Sequence, residues 1–381
     1  MKKLNGMKRN LNYIVIGAIM VIFVVLSLVG VLKTSTVYLL EEMAIKIVLA
    51  LSLSLVVGFL GELSLGHAGF MCIGAYIGGK TSALLSELLP VSSLATGLIN
   101  LLIAVLAGAV AAALLGFVVG LPALRLKGDY LAIVTLAFCE IVKTIFQNSS
   151  TESFGGPMGL RTPRFNKQYL FIVIFVFILV CLAVIQNFIR SKHGRAITAI
   201  RDNEIAARAT GINVTKYKLS AFIISAAFAG VAGVMYSFAN STVAPTIFDY
   251  NYSIEILVMV VLGGMGNVTG GMISAAVITF LNVKLTTLLT GDSAVLKNLV
   301  YALILVLIVI YNNAPALRFF REKYNIRALV SKLLHKHRDA SHEIEDAGHW
   351  DKIPTKIKMD ELLSVDISVR ESVVEPDKEE K

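Results

Sequence analysis

The sequence predicts an all-α fold: a polytopic transmembrane helical bundle of about ten spans with cytoplasmic N- and C-termini. Three observations carry that prediction. Apolar residues fill 56% of 381 positions and charged residues only 16%, against about 25% charged in ordinary soluble domains. The apolar residues gather in runs close to the ~20 residues a helix needs to cross a bilayer. The basic residues gather in short segments between those runs.

The runs lie at 11–32, 43–61, 66–85, 93–121, 130–147, 169–189, 219–239, 253–265, 271–290 and 295–313. The first follows Lys2, Lys3, Lys8 and Arg9 and so resembles a signal peptide. It is too long for a signal h-region and lacks a small-residue cleavage site, which makes it a first span. Gly-rich stretches interrupt the third and eighth runs, and a short broken or re-entrant helix fits these two as well as a full span does. With ten spans both termini share a side. The loops on that side, at 1–10, 122–129, 190–218 and 314–327, hold 17 Lys and Arg, whereas the opposite loops hold five: Lys33, Arg161, Arg164, Lys167 and Lys297. The positive-inside rule then makes the termini cytoplasmic and the location a cytoplasmic (inner) membrane.

Residues 1–313 form this transmembrane domain and carry a net charge of +10; the remaining 68 residues carry −1. Basic residues confined to interhelical loops are explained by headgroups and insertion topology, so nucleic-acid binding is not expected. In the segment 314–340, Phe319, Phe320, Leu333 and Leu334 interleave with Arg318, Arg321, Lys332 and Lys336, the pattern of a basic amphipathic helix on the cytoplasmic surface. Residues 341–381, charged and poor in aromatics, are expected to be disordered. Cys72, Cys139 and Cys181 all fall inside apolar runs with no C-x-x-C pair, so neither a disulfide framework nor a zinc site is expected.

Gly74 to Thr81 satisfies the pattern G-x-x-x-x-G-K-T. A phosphate-binding loop of that kind follows a strand and opens a helix, whereas this match sits within an apolar run. Gly74 and Gly78 are better explained as G-x-x-x-G helix packing. Just upstream, Ser64, Gly66, His67 and Gly69 place polar groups and glycines within membrane depth, and Gly263, Gly264 and Gly266 do the same in the eighth run. Free backbone groups there must face protein or a water-filled cavity, so both segments, together with Gly74 and Glu140, are candidates for a pathway lining or a helix break. Tight turns with small residues for packing, and a hydrogen-bonded interfacial His67, are the competing reading. Glu140 and Lys143, at i,i+3, are read as a mutual ion pair and not as a proton relay.

The loop 190–218 contains Asp202 to Gly211, with Asp202 placed to cap a helix and Gly211 placed to end it. Glu204 and Arg208 can pair at i,i+4, and Ala206, Ala207 and Ala209 would form a small-residue surface suited to a docking partner. A helix that merely connects spans is the alternative.

The runs Leu63 to Phe70 with Ile73 to Tyr76, Thr135 to Phe138 with Glu140 to Val142, Gly155-Gly156-Pro157 with Gly159, and Gly194 to Ala207 with Gly211 closely resemble the LivM-type permeases of branched-chain amino acid ABC importers. The resemblance covers residues 40–313 in order. It implies a non-enzymatic subunit that works with a second related permease, two cytoplasmic ABC ATPases that carry the ATP and Mg, and an extracytoplasmic substrate-binding protein. No cofactor is implied in this chain. Asp202, Glu204, Ala206, Ala207 and Gly211 match the segment that docks on the ATPase. Cys139, Lys143 and the long tail depart from the usual pattern. A permease for urea, short amides or another small solute is the nearest rival; an ion-coupled secondary transporter would need more carboxylates in its spans.

Overall fold

The computed structural model describes residues 34–88, 94–126, 128–162, 167–240 and 242–288, with single helical positions at 17, 23, 302, 303, 306 and 310. The chain divides into two units, Met1–Asn312 and Asn313–Lys381, and all described residues belong to the first. Apart from those single positions, the runs 11–32 and 295–313 lie outside the described residues, as do the segments 314–340 and 341–381.

Among the described residues the regular elements are helical, with one exception. In order come α1 (Thr34–Ser54), which continues as π-helical turns at Leu55–Leu60, then α2 (His67–Leu88), α3 (Leu94–Ala123), α4 (Asp129–Gln147) and the single turn α5 (Thr151–Phe154). There follow α6 (Lys167–Arg190), α7 (Lys192–Asp202), α8 (Glu204–Ala209), α9 (Val214–Ala239), α10 (Tyr250–Gly263) and α11 (Val268–Leu288). The exception is a two-residue antiparallel pair, β1 (Leu160–Arg161) with β2 (Thr242–Val243), which joins Leu160 to Val243. Tyr76 Oη donates to Val243 O at 2.9 Å and fastens α2 to this pair.

Among the described residues, five helices are long and apolar enough to cross a membrane by length and composition: Thr34–Leu60, Ala95–Ala123, Leu170–Arg190, Val214–Ala239 and Val268–Thr287. Helix α1 starts nine residues before the run read at 43–61, because Glu41 and Glu42 remain helical instead of ending it, with Glu42 3.6 Å from Lys46. The third run is unbroken over His67–Leu88, and its irregular stretch lies before it at Gly61–Gly66. The eighth run is shorter than a span: fourteen residues at Tyr250–Gly263 extend about 21 Å at 1.5 Å per residue, against a hydrocarbon core of roughly 30 Å. Asp249 caps its start by accepting from Tyr252 N at 3.0 Å.

Helices α2, α3 and α9 pack at backbone contact. A Cβ on Gly74 would stand 2.1 Å from Gly230 O, and one on Gly233 2.0 Å from Met71 O, so only glycine admits this approach. The Gly74 to Thr81 string is thus continuous α-helix, without the strand and loop that phosphate binding needs. Lys80 Nζ reaches only Glu152 O, at 3.4 Å. Ile99, Leu102, Leu106, Val110, Leu114 and Val118 form an exposed apolar face along α3, the side such a bundle turns to lipid or to another membrane subunit.

Candidate functional site

The first helix break is built at the end of α1. The π-helical turns at Leu55–Leu60 widen the backbone, and Gly61, at φ +79°, closes them with its N–H on Val56 O. Glu62 to Gly66 then run without regular structure to α2. Gly66 and Gly69 let α2 meet α4: a Cβ at Gly66 would lie 2.8 Å from Thr135 O, and one at Gly69 3.0 Å from Cys139 Cα. Ser64 and His67 are buried, and among the described residues neither Ser64 Oγ nor His67 Nδ1 has a hydrogen-bond partner. On its other side, His67 Nε2 lies 2.9 Å from Ser52 Oγ and 3.4 Å from Ser225 Oγ. His67 is therefore a core histidine bonded through one nitrogen, which corrects the interfacial, satisfied reading; the glycines that follow it bury the start of α2.

The second break follows α10. Gly264 and Gly266 both have positive φ, +90° and +81°, and Asn267 caps α11 by accepting from Gly270 N at 3.2 Å. Gly263 presses on α11, since its Cβ would meet Gly271 N at 2.4 Å. The two breaks touch one another: a Cβ on Gly58 would lie 2.7 Å from Gly266 N.

Segment 190–218 is an elbow of two helices, where the sequence suggested one. Ser191 caps α7 and Asn203 caps α8, accepting from Ala206 N at 3.0 Å. Asp202 is the last residue of α7 and pairs with Arg201 at 3.0 Å. The cap is thus Asn203 and not Asp202, because Asn203 alone has the extended backbone, φ −158° and ψ 104°, that an N-cap needs. Gly211, at φ +82°, ends α8 as expected: Ile212 N bonds Ala207 O and Gly211 N bonds Arg208 O, the paired closure of a left-handed C′ glycine. The alanine surface needs a second correction. Ala207 is buried beneath α8, whereas Ala206 and Ala209 are exposed beside Ile205, which is 81% exposed.

Charge joins this elbow to the breaks. Lys218, buried in the first turns of α9, donates to Glu62 Oε1 at 2.5 Å and to Glu204 Oε2 at 3.1 Å. Glu204 also accepts from Arg208 Nη2 at 2.6 Å. Arg201 Nη1 donates to Gly58 O at 3.1 Å, and its side chain packs on Gly61, where a Cβ would stand 2.7 Å from Arg201 Cγ. Glu62, Arg201, Asn203, Glu204 and Lys218 line an open polar cavity of about 410 Å³. Among the described residues, no group of three or more His, Cys, Asp or Glu is placed to hold a metal ion.

A family model described as "branched-chain amino acid transport system / permease component" matches residues 35–309, the interval that holds both breaks and the elbow. The chain belongs to this family. Relatives include the high-affinity branched-chain amino acid transport system permease protein LivM of Salmonella typhimurium, 40% identical over 255 residues, or 58% of this chain and 57% of that protein. The probable LivM of Methanocaldococcus jannaschii is 30% identical over 62% of this chain and 76% of its own length. The ribose import permease protein RbsC of Escherichia coli is 28% identical over 56% of this chain and 70% of its own. The chain thus spans little more than half the length of the Salmonella relative, and no solved structure matches it.

Two further sets of ionisable residues in this permease-family chain join helices to one another. Glu140 and Lys143 pair at 2.7 Å, and Glu140 Oε1 also accepts from Tyr250 N at 3.2 Å, which fixes the start of α10 against α4. Sequence reading missed a buried cluster in which Lys46 pairs with Glu255 at 2.8 Å and Glu42 at 3.6 Å, with Asn282 Nδ2 donating to Glu255 at 3.0 Å. It also missed Glu62, Arg201 and Lys218. A charge inside an apolar run was the available signal for Lys46 and Glu255; Glu62 and Lys218 sit at run edges, where a charge is ordinary.

Proposed function

We propose that this chain is the membrane permease subunit of an ATP-driven importer of leucine, isoleucine and valine. In this reading it crosses the cytoplasmic membrane about ten times with both termini inside, and the elbow at 190–218 faces the cytoplasm. A second related permease completes the pathway, two cytoplasmic ATPases supply ATP and Mg chemistry, and an extracytoplasmic binding protein delivers the amino acid. Ile205, Ala206 and Ala209 are the face offered to an ATPase. The breaks at Gly61–His67 and Gly263–Gly266 flank the pathway, with Ser64 and His67 as its buried polar groups.

The observation that carries this reading is the direct link between elbow and breaks, through Lys218 to Glu62 and Arg201 to Gly58, within a family described by branched-chain amino acid transport. A helix that merely connected spans would not need two long-range polar ties to the irregular segment. The 17-to-5 division of Lys and Arg supports the orientation. The test is uptake of labelled leucine by proteoliposomes holding the chain with its partners, with unlabelled isoleucine as competitor. Because a ribose import permease is among the relatives, ribose, urea and a short amide are the other arms. Competition by isoleucine alone supports the proposal; competition by one of the others, with none by aliphatic amino acids, reassigns the substrate.

A further inference from the structure

Lys218 is buried at the base of α9, and an ammonium taken out of water requires partners with good geometry. Its two carboxylates come from opposite sides: Glu62 from the break between α1 and α2, Glu204 from the first residue of α8. Glu204 is divided between Lys218 and Arg208, so displacement of α8 must drag Glu204 and pull on Lys218. Glu62 follows the π-helical turns and the positive-φ Gly61 and opens the irregular stretch to His67. It is thus attached to a stretch without regular secondary structure. Ile197 and Ile200 anchor α7, but only Ala207 of α8 is buried, and an apolar anchor that small would let α8 slide over the bundle. The charged bridge resists sliding, because four side chains, two acidic and two basic, must remain in register.

We infer that Lys218 is a positioning residue for transport: by holding Glu62 and Glu204 in one unit, it carries displacement of the α7–α8 elbow to the break that precedes His67. This rests on the reading above that the elbow receives an ATPase. Arg201, bonded to Gly58 O, forms a second strand of the same link on the other side of Gly61. Removal of the Lys218 charge takes from Glu62 and Glu204 the cation they share, and their mutual repulsion then favours separation of the two.

The experiment compares native complex, Lys218→Met, Lys218→Arg, Glu62→Gln and Ile205→Asp in proteoliposomes, once native complex is seen to take up labelled leucine. ATPase co-purification, ATP hydrolysis and leucine taken up per ATP are all recorded. Lys218→Met is expected to retain the ATPases while uptake per ATP falls by about tenfold, within the ordinary range of coupling between sites. Lys218→Arg, whose guanidinium can bridge two carboxylates, should recover most of the loss. Ile205→Asp should instead lose the ATPases. Native uptake per ATP in Lys218→Met overturns the inference. If Lys218→Met fails to assemble, Glu62→Gln decides, since it removes one charge at constant shape: reduced uptake per ATP supports the bridge, and a native value overturns it. Should Ile205→Asp keep its ATPases and full stimulation, the docking reading itself falls and the inference falls with it.

Discussion

Arg201 Nη1 donates to the carbonyl oxygen of Gly58 at 3.1 Å, a bond that spans 143 residues and ties the last turn of α7 to the π-helical end of α1. Gly58 in turn abuts Gly266, so one guanidinium sits where both helix breaks and the elbow converge. Arg201→Met should lower stability by about 1.5 kcal/mol, the lower value for a hydrogen bond involving a charged group. It should reduce binding-protein-stimulated ATP hydrolysis severalfold in the assembled complex. Thermal unfolding in detergent and hydrolysis in proteoliposomes check the two effects separately, and unchanged stimulation would remove Arg201 from the link.

Gly74 and Lys80 share a sequence pattern but should respond in opposite ways. Gly74→Ala drives a methyl against Gly230 O and is expected to cost about 1–3 kcal/mol by overpacking, visible as a lower unfolding temperature. Lys80→Ala removes one long contact to Glu152 O and should leave transport within a few-fold of native. Nucleotide binding by the isolated permease that disappears with Lys80 would restore the phosphate-loop reading.

Lys46 stands nearly midway along the 27-residue helix Thr34–Leu60, with its side chain 3% exposed. Lys46→Met leaves the part-buried Glu255 with Asn282 as a partner and is expected to destabilise the bundle by about 3 kcal/mol, the lower value for removing one member of a buried pair. The double variant Lys46→Met with Glu255→Gln should recover most of that loss. Equal instability of single and double variants would show that packing, not charge, is what Lys46 supplies.

Orientation is tested by a single cysteine. Asn203→Cys, in a background that lacks Cys72, Cys139 and Cys181, should resist an impermeant maleimide added outside intact cells and react once the membrane is opened. Labelling from outside would invert the topology and place the elbow away from any cytoplasmic ATPase.

Much of this molecule is legible in the sequence, and the failures have physical causes. Apolar runs located α2, α3, α4, α6, α9 and α11 because a bilayer demands apolar length. Gly211 was readable as a helix end because only a left-handed residue closes α8 in that way. Asp202 misled because Asp and Asn both suit an N-cap, and the choice between adjacent candidates depends on which one has extended backbone. Ala207 misled because alanine is equally at home in a core or on a surface. The Glu62–Lys218–Glu204 bridge was hidden for another reason: its members are 156 and 14 residues apart, and only the tertiary arrangement brings them together.

If an ATPase acts on this permease through the face carrying Ile205, as proposed, a cross-link placed there captures it. In the complex built on the cysteine-free background, Ile205→Cys should form a cross-link to the ATPase whose yield changes when ATP is added. Ala207→Cys, buried on the opposite side of α8 two residues along, should not. Absence of any cross-link from Ile205→Cys or Ala206→Cys, in a complex that still hydrolyses ATP and takes up leucine, would contradict the account and move the docking surface elsewhere.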